Sequence, residues 1–149
     1  MAEKIIIDCD PGIDDMLAIF YALASDALDV VGITTVYGNV PAETGAQNAL
    51  RLIEMAGRSN IPVAVGARNP LCGTYSHTFS SIHGKDGLGN THLPEPIGKP
   101  IAQTAVDFIV EQVDAHPGEI TLAPIGPLTN IALAIQLHPH IVSKVKRVV

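Results

Sequence analysis

The sequence predicts an α/β protein with a mostly parallel sheet and flanking helices. Short aliphatic and β-branched runs alternate along the chain with longer amphipathic segments. Strands and helices that alternate at these lengths are typical of parallel sheets built with right-handed crossovers. The length of 149 residues and the hydrophobic content of 47% are enough to bury the core of a single domain, which we expect to cover residues 1–149.

The first two elements are predicted from a change of periodicity near the N-terminus. Residues 4–7 form an apolar, β-branched run typical of a strand that is buried on both faces. Pro11 and Gly12 then turn the chain, and a helical pattern begins at Asp14. The apolar residues that share one face of this helix are Met16, Leu17, Phe20 and Leu23.

The remaining elements are predicted in the same way. Strands are expected at residues 28–36, 62–65, 119–123 and 145–149, and helices at residues 41–56, 101–113 and 128–137. Residues 66–99 lack regular periodicity and are rich in Gly, Pro, Ser, Thr and His. A loop of this length is uncommon inside a compact domain unless it is functional or disordered.

Four aspartates lie within eight residues at the first strand-to-helix turn: Asp8, Asp10, Asp14 and Asp15. No Lys, Arg or His occurs between Lys4 and Arg51 to neutralise them. Crowded carboxylates repel one another unless they are protonated, exposed to water or bound to a cation. Capping of the helix would explain only one or two of them. We therefore expect a metal or catalytic site, at the sheet edge where α/β proteins bind ligands.

Two further turns are expected at the same edge. Asn39 follows the second strand, and residues 124–130 follow the strand predicted at 119–123. Main-chain carbonyls at such turns can add to an oxygen-only ligand set, which suits calcium or magnesium better than zinc. His83 lies in the long loop, where a ligand contact and simple solvent exposure are both open; His77 and His92 have weaker claims.

Charge and cysteine content exclude several classes of function. The net charge is −6, and the Lys and Arg residues are scattered, which argues against a nucleic-acid or anionic membrane surface. No apolar run reaches the roughly 18 residues of a membrane span, and no signal-peptide pattern precedes the first strand, so a cytoplasmic protein is expected. A structural disulfide between Cys9 and Cys72 is not expected, and Cys9 is interpreted as a small buried residue.

Three separated motifs carry a family resemblance. They are Asp-Cys-Asp-Pro-Gly-Ile-Asp-Asp at 8–15, Thr-Thr-Val-Tyr-Gly-Asn at 34–39 and Ile-Gly-Pro-Leu-Thr-Asn-Ile-Ala at 125–132. In order and spacing they resemble the inosine-uridine preferring nucleoside hydrolase family. The resemblance implies a Rossmann-like nucleoside hydrolase fold, and hydrolysis of the N-glycosidic bond of purine or pyrimidine ribonucleosides to ribose and free base.

The resemblance also implies a cofactor and its ligands. Asp10 and Asp15 would bind Ca²⁺ through their carboxylates, and Ile125 would add its main-chain oxygen. Asp10 would in addition be the general base toward a calcium-bound water. Asp8 is expected to support the site from behind.

Substrate contacts are implied for the remaining residues. Asp14 and Asn39 would hold ribose hydroxyls, while His83 would lie toward the base in a catalytic and binding role. Family members are about twice as long, a size consistent with one large α/β domain, so the chain is expected to be truncated to the N-terminal half. Full-length members are expected to be homo-oligomers, as dimers or tetramers.

Two alternatives to an active nucleoside hydrolase remain open. A further Asp ligand and a His that protonates the leaving base belong to the family's second half, so this chain alone is expected to be a poor hydrolase or a non-catalytic half-domain with a partial Ca²⁺ site. A haloacid-dehalogenase-like Mg²⁺ phosphatase also places D-x-D after its first strand. Residues 13–15, Ile-Asp-Asp, depart from the pattern of those phosphatases.

Overall fold

A five-stranded parallel sheet is the centre of the computed structural model, which describes residues 2–76 and 80–149. The strands are β1 (Glu3–Cys9), β2 (Leu28–Thr35), β3 (Val63–Val65), β4 (Thr121–Pro124) and β5 (Arg147–Val148), in the order β3-β2-β1-β4-β5. The predicted fold class is confirmed. His77 lies outside the described residues.

Helices cover both faces of this sheet. They are α1 (Ile13–Ala24), α2 (Ala42–Met55), α3 (Ser80–His83), α4 (Ala105–Ala115) and α5 (Thr129–Leu137), followed by a 3₁₀ helix at Pro139–Ser143. Ile5 and Ile7 of β1 pack with residues of α1 and α2 in one core cluster. Ile6 points the other way and packs with residues of α4 and α5. The prediction that the first strand is buried on both faces is confirmed.

Helix α4 begins four residues later than the predicted helix at 101–113. The main-chain N–H of Ile101 donates to the carbonyl of Val63, at 2.9 Å, so this residue extends the β3 region instead of starting a helix. Thr104 then caps α4, because its Oγ1 accepts a hydrogen bond from the N–H of Asp107 at 3.2 Å. The cap sets the start of the helix, and hydrophobic spacing alone does not reveal it.

We expect Thr104→Ala to lower the free energy of unfolding by about 1 kcal/mol, because the substitution removes the cap of an exposed helix end. Thr104→Ser keeps a hydroxyl in the same place and should retain most of the stability. Urea denaturation of the three proteins measures the difference. Equal midpoints for the Ala and Ser variants would show that the cap contributes nothing.

Other boundaries also differ from the prediction. The strand expected at 145–149 pairs only at Arg147–Val148, and the loop expected at 66–99 contains the short helix α3. Cys9 is buried and its thiol pKa is raised by burial, as its interpretation as a core residue requires. Within the described ranges, none of the helices is both long and apolar enough to cross a membrane.

Candidate active site

The aspartate cluster lies at the carboxyl end of β1, the central strand of the sheet. Asp8 is in the strand, Asp10 follows it, and Asp15 is in the first turn of α1. These three residues are almost completely buried, with exposed fractions of 1%, 5% and 4%. Asp14 points to solvent instead, since 78% of its side chain is exposed.

Asn39 joins the two aspartates that were predicted to bind metal. Its main-chain N–H donates to Oδ2 of Asp10 at 2.6 Å, and its side-chain Nδ2 donates to Oδ2 of Asp15 at 3.1 Å. The same Asp15 oxygen accepts a hydrogen bond from the N–H of Gly12 at 3.0 Å, which gives Asp15 a capping role on α1. A single residue after β2 therefore orients both carboxylates.

One carboxylate oxygen remains buried and without a hydrogen-bond partner on each of two aspartates. They are Oδ1 of Asp15 and Oδ2 of Asp8. An ionised oxygen in this state is costly unless a cation neutralises it. Capping accounts for Oδ2 of Asp15 only, so its unpartnered oxygen requires either a proton or a positively charged neighbour.

The electrostatics of the cluster follow from burial. Loss of water raises the pKa of Asp10 to about 7, with the neighbouring charge of Asp15 adding to the rise and the Asn39 N–H opposing it. Burial also raises the pKa of Asp15, and it raises the pKa of Asp8 to about 6. Burial therefore favours the protonated form of all three carboxyl groups, or their pairing with a positive charge.

Two glycines allow the main chain to lie directly against the carboxylate of Asp10. A Cβ atom at Gly38 would overlap this carboxylate, and one at Gly126 would lie 2.5 Å from its Oδ1. Gly38 precedes Asn39, and Gly126 follows Ile125. The turns after β2 and β4 therefore close around Asp10 from two sides.

The turn after β4 is attached to β1. The N–H of Ile125 donates to the main-chain oxygen of Asp8 at 2.8 Å, while the Ile125 side chain is 46% exposed. This brings Ile125 to the edge where the aspartates lie, as predicted. Its proposed role as a carbonyl ligand stays a prediction.

His83 is brought to the cluster by helix α3. Its Nδ1 accepts a hydrogen bond from the N–H of Ile13 at 3.3 Å and lies 3.8 Å from Oδ1 of Asp14. Only 12% of the side chain is exposed, so the alternative of a simple solvent-exposed loop histidine does not hold. His92, by contrast, is exposed.

Sequence reasoning assigned no role to several residues that surround the site. Thr34 and Asn130 both donate to Oδ1 of Asp8, at 2.6 and 2.7 Å. Tyr75 donates from its hydroxyl to the carbonyl of Gly38 at 2.9 Å. Thr34 and Asn130 belong to the motifs at 34–39 and 125–132, and in the sequence only their position near predicted strand ends indicated a role at the site.

The donor set fits a hard cation in type but is small in number. Asp10 and Asp15 offer carboxylate oxygens only, which suits calcium or magnesium. Calcium takes about six to eight oxygen ligands. In the part of the chain that the structure describes, no three His, Cys, Asp or Glu side chains are arranged to hold a metal ion. The described side chains therefore supply fewer ligands than calcium takes.

The fold and the site together define a class of protein: an α/β protein with a buried carboxylate cluster at the carboxyl end of its central parallel strand. In open α/β sheets, ligands bind at this edge. Comparison with known sequences gives the family. Residues 5–149 match the model of the inosine-uridine preferring nucleoside hydrolase family, and the chain belongs to that family.

Individual relatives agree with this assignment. The chain is 51% identical over 148 residues to the probable uridine nucleosidase 2 of Arabidopsis thaliana, covering 99% of this chain and 46% of that protein. It is 45% identical over 151 residues to the inosine-uridine preferring nucleoside hydrolase of Leishmania major, covering 100% of this chain and 48% of that protein.

Solved structures show the same relationship. A plant nucleoside hydrolase, PpNRh1, superposes with a TM-score of 0.95 at 47% identity, covering 99% of this chain and 47% of that one. The purine-preferring ribonucleoside hydrolase of Gardnerella vaginalis superposes with a TM-score of 0.95 at 35% identity, covering 99% and 48%. The chain thus spans slightly less than half the length of these relatives.

Proposed function

We propose that the site serves calcium-dependent hydrolysis of the N-glycosidic bond of ribonucleosides, giving ribose and a free base. The observation that carries the proposal is the pair of buried carboxylates, Asp10 and Asp15, which Asn39 orients together. Oδ1 of Asp15 is buried in this arrangement and has no hydrogen-bond partner. Membership of the hydrolase family favours this reaction over the phosphatase alternative.

The carboxylates of Asp10 and Asp15, with the main-chain oxygen of Ile125, would hold the calcium ion. When bound, calcium would polarise a water molecule and orient the vicinal hydroxyls of a ribose. The unpartnered oxygen of Asp15 would then gain the positive neighbour that its burial requires.

Asp10 is the proposed general base. Its carboxylate lies beside that of Asp15 and is held in place by the Asn39 N–H, so it can accept the proton of a water molecule bound at the same site. In the proposed step the water oxygen bonds to C1′ of the ribose while the bond from C1′ to the base nitrogen breaks. The proton of the water passes to Asp10, and the electron pair of the broken bond leaves with the base. Nearby carboxylates stabilise the positive charge that develops on the sugar.

Substrate binding is proposed for the residues around this pair. Asp14 is exposed and free to accept hydrogen bonds from ribose hydroxyls, and Asn39 lies between the two buried carboxylates. His83 would face the base. Because its Nδ1 accepts a hydrogen bond from Ile13, the proton of the neutral ring is on Nε2, which is the nitrogen that can donate.

The names of the relatives suggest which substrates to test first. Several plant relatives are named uridine nucleosidases or probable uridine nucleosidases, two bacterial relatives are named pyrimidine-specific ribonucleoside hydrolases, and the Leishmania relative is named for inosine and uridine. We propose uridine as the first substrate to test and inosine as the second.

Calcium binding is the first measurement. We expect the 149-residue chain to bind Ca²⁺ weakly in a calorimetric titration, because two carboxylates supply only part of its ligand shell. Asp15→Asn should weaken the affinity at least about tenfold, since even residues behind a metal ligand contribute this much. Asp26→Asn, at an exposed turn far from α1's first turn, is the matched control for loss of one charge. Equal affinities for the two variants would contradict the assignment of Asp15.

Turnover is the second measurement. We expect little release of uracil from uridine, or of hypoxanthine from inosine, by this chain alone, because loss of a general acid typically costs about 10²–10⁴-fold. The residual rate should fall further in a chelator. Robust hydrolysis would contradict the expected low activity, and phosphate release from p-nitrophenyl phosphate would favour the phosphatase instead.

A further inference from the structure

The side chain of Asn130 is buried completely at the edge of the sheet. Its Nδ2 donates to Oδ1 of Asp8 at 2.7 Å and to the carbonyl of Thr35 at 2.9 Å, while its Oδ1 accepts from the N–H of Ala67 at 2.9 Å. Two acceptors therefore face the nitrogen and one donor faces the oxygen. This pattern fixes a single orientation of the amide.

These contacts join elements that are far apart in sequence. Asp8 belongs to β1, Thr35 ends β2, and Ala67 follows β3. Asn130 itself is in the first turn of α5, directly after the turn that follows β4. A Cβ atom at Gly66 would overlap the amide, so the chain after β3 lies directly against it. The Asn130 side chain thus connects the carboxyl ends of β1, β2 and β3 to the helix that follows β4.

Asp8 connects Asn130 to the proposed cation ligands. Its carboxylate is held by Thr34 and Asn130, and its main-chain oxygen accepts the N–H of Ile125 at 2.8 Å. Asp10 lies two residues further along the same segment. A shift of Asn130 would therefore move both the Ile125 turn and the start of the Asp10 segment.

We propose that Asn130 is a positioning residue for the cation site, holding the Ile125 carbonyl and the Asp10 segment in register through Asp8. Among the described residues, the hydrogen bonds of the Asn130 side chain go to Asp8, Thr35 and Ala67 and not to the proposed ligands. This inference rests on the proposed function, because it assumes that Asp10, Asp15 and Ile125 bind the ion. If the buried amide only stabilised the fold, its removal would lower the free energy of unfolding and leave the geometry of the cation shell unchanged.

The test compares Asn130→Ala with Ile131→Ala, a matched destabilising control. Ile131 is the next residue of α5, is 6% exposed and packs into the core cluster below the sheet, so its truncation weakens the same helix without touching the amide contacts. Binding of Ca²⁺ is measured by calorimetry. Terbium is then bound in its place, and luminescence lifetimes in H₂O and D₂O count the water molecules on the ion.

The expected result for Asn130→Ala is an affinity about tenfold lower than that of the unsubstituted chain, the size typical for residues behind metal ligands. The terbium ion should also carry one more water, because the Ile125 carbonyl no longer reaches it. Ile131→Ala should keep the affinity and the water count. If Asn130→Ala does not fold, Asn130→Ser, which keeps a polar side chain but lacks the amide group, takes its place in both measurements.

Two different failures can be told apart. The proposed function fails, and this inference with it, if the unsubstituted chain binds neither calcium nor terbium. It fails likewise if the Asp15→Asn variant binds both ions as tightly as the unsubstituted chain does. If the chain binds calcium through Asp15, but a folded Asn130 variant keeps the affinity and the water count, the proposed function stands and the positioning role is overturned.

Discussion

Gly38→Ala is expected to remove most of the cation binding, with an affinity at least about 10–100-fold lower. The new Cβ atom would overlap the carboxylate of Asp10, so this side chain must move away from its present position. It would then lose the hydrogen bond from the Asn39 N–H, which is 2.6 Å long. The effect should be large because the new Cβ atom is fixed to the main chain and cannot turn away, so the proposed ligand Asp10 has to move.

Gly57→Ala is the control for this substitution. Gly57 has a φ of +69°, so alanine there is strained by the backbone, but a Cβ atom would meet no neighbouring atom. We expect this variant to lose stability, by roughly 1 kcal/mol, and to bind Ca²⁺ like the unsubstituted chain. Calorimetric titration of both variants at a temperature where each is folded separates a local effect on Asp10 from general destabilisation. Normal calcium binding by Gly38→Ala would show that Asp10 is not a ligand.

Asp8→Asn is expected to change how stability depends on pH in the presence of a chelator. Burial raises the pKa of Asp8 from 3.8 to about 6. Well below pH 4 the carboxyl is protonated in both folded and unfolded chains, and its ionisation costs the fold nothing. Between about pH 4 and pH 6 the unfolded chain releases this proton while the folded chain keeps it, so the free energy of unfolding falls by roughly 3 kcal/mol. Above about pH 6 the folded chain carries the buried charge and the loss of stability is complete. Asparagine at this position cannot ionise.

The measurement is urea denaturation of both proteins between pH 4 and pH 7. The stability of Asp8→Asn relative to the unsubstituted chain should rise across this range, while the titration of Asp10 affects both proteins alike. Asp26→Asn removes an exposed carboxylate and should give a nearly constant difference. A constant difference for Asp8→Asn as well would mean that the pKa of Asp8 is the same in the folded and the unfolded chain.

Much of the fold could be predicted because its signals are local. The β-branched run in β1 and the change to helical spacing at α1 are visible in the sequence, and the alternation of elements predicts a parallel sheet. The start of α4 could not be predicted in this way. It depends on the Thr104 cap and on a hydrogen bond between Ile101 and Val63, and the second of these joins residues that the sequence does not place together.

The candidate site likewise combines residues that the local sequence reveals with contacts between distant residues that it does not. Asp10, Asp14 and Asp15 stand out by their charge and spacing, and their turn is where a ligand is expected. The contacts that orient them are long-range: Asn39 reaches Asp15 across 24 positions, and Asn130 reaches Asp8 across 122. Gly38 was ordinary in the sequence, and its role follows only from where the folded chain brings Asp10.

The central place of β1 in the sheet has a consequence for how the protein is made. This strand leaves the ribosome before the other four strands of the sheet, yet one of its two partners, β4, lies more than a hundred residues later, as the contact from Asp8 to Asn130 across 122 positions indicates. At ordinary translation rates the wait is on the order of ten seconds. During that time the β4 side of β1 has no strand to pair with, and the aspartates stay hydrated. The nascent chain therefore exposes an unpaired strand edge, which is open to aggregation, at the strand that ends in the aspartate cluster.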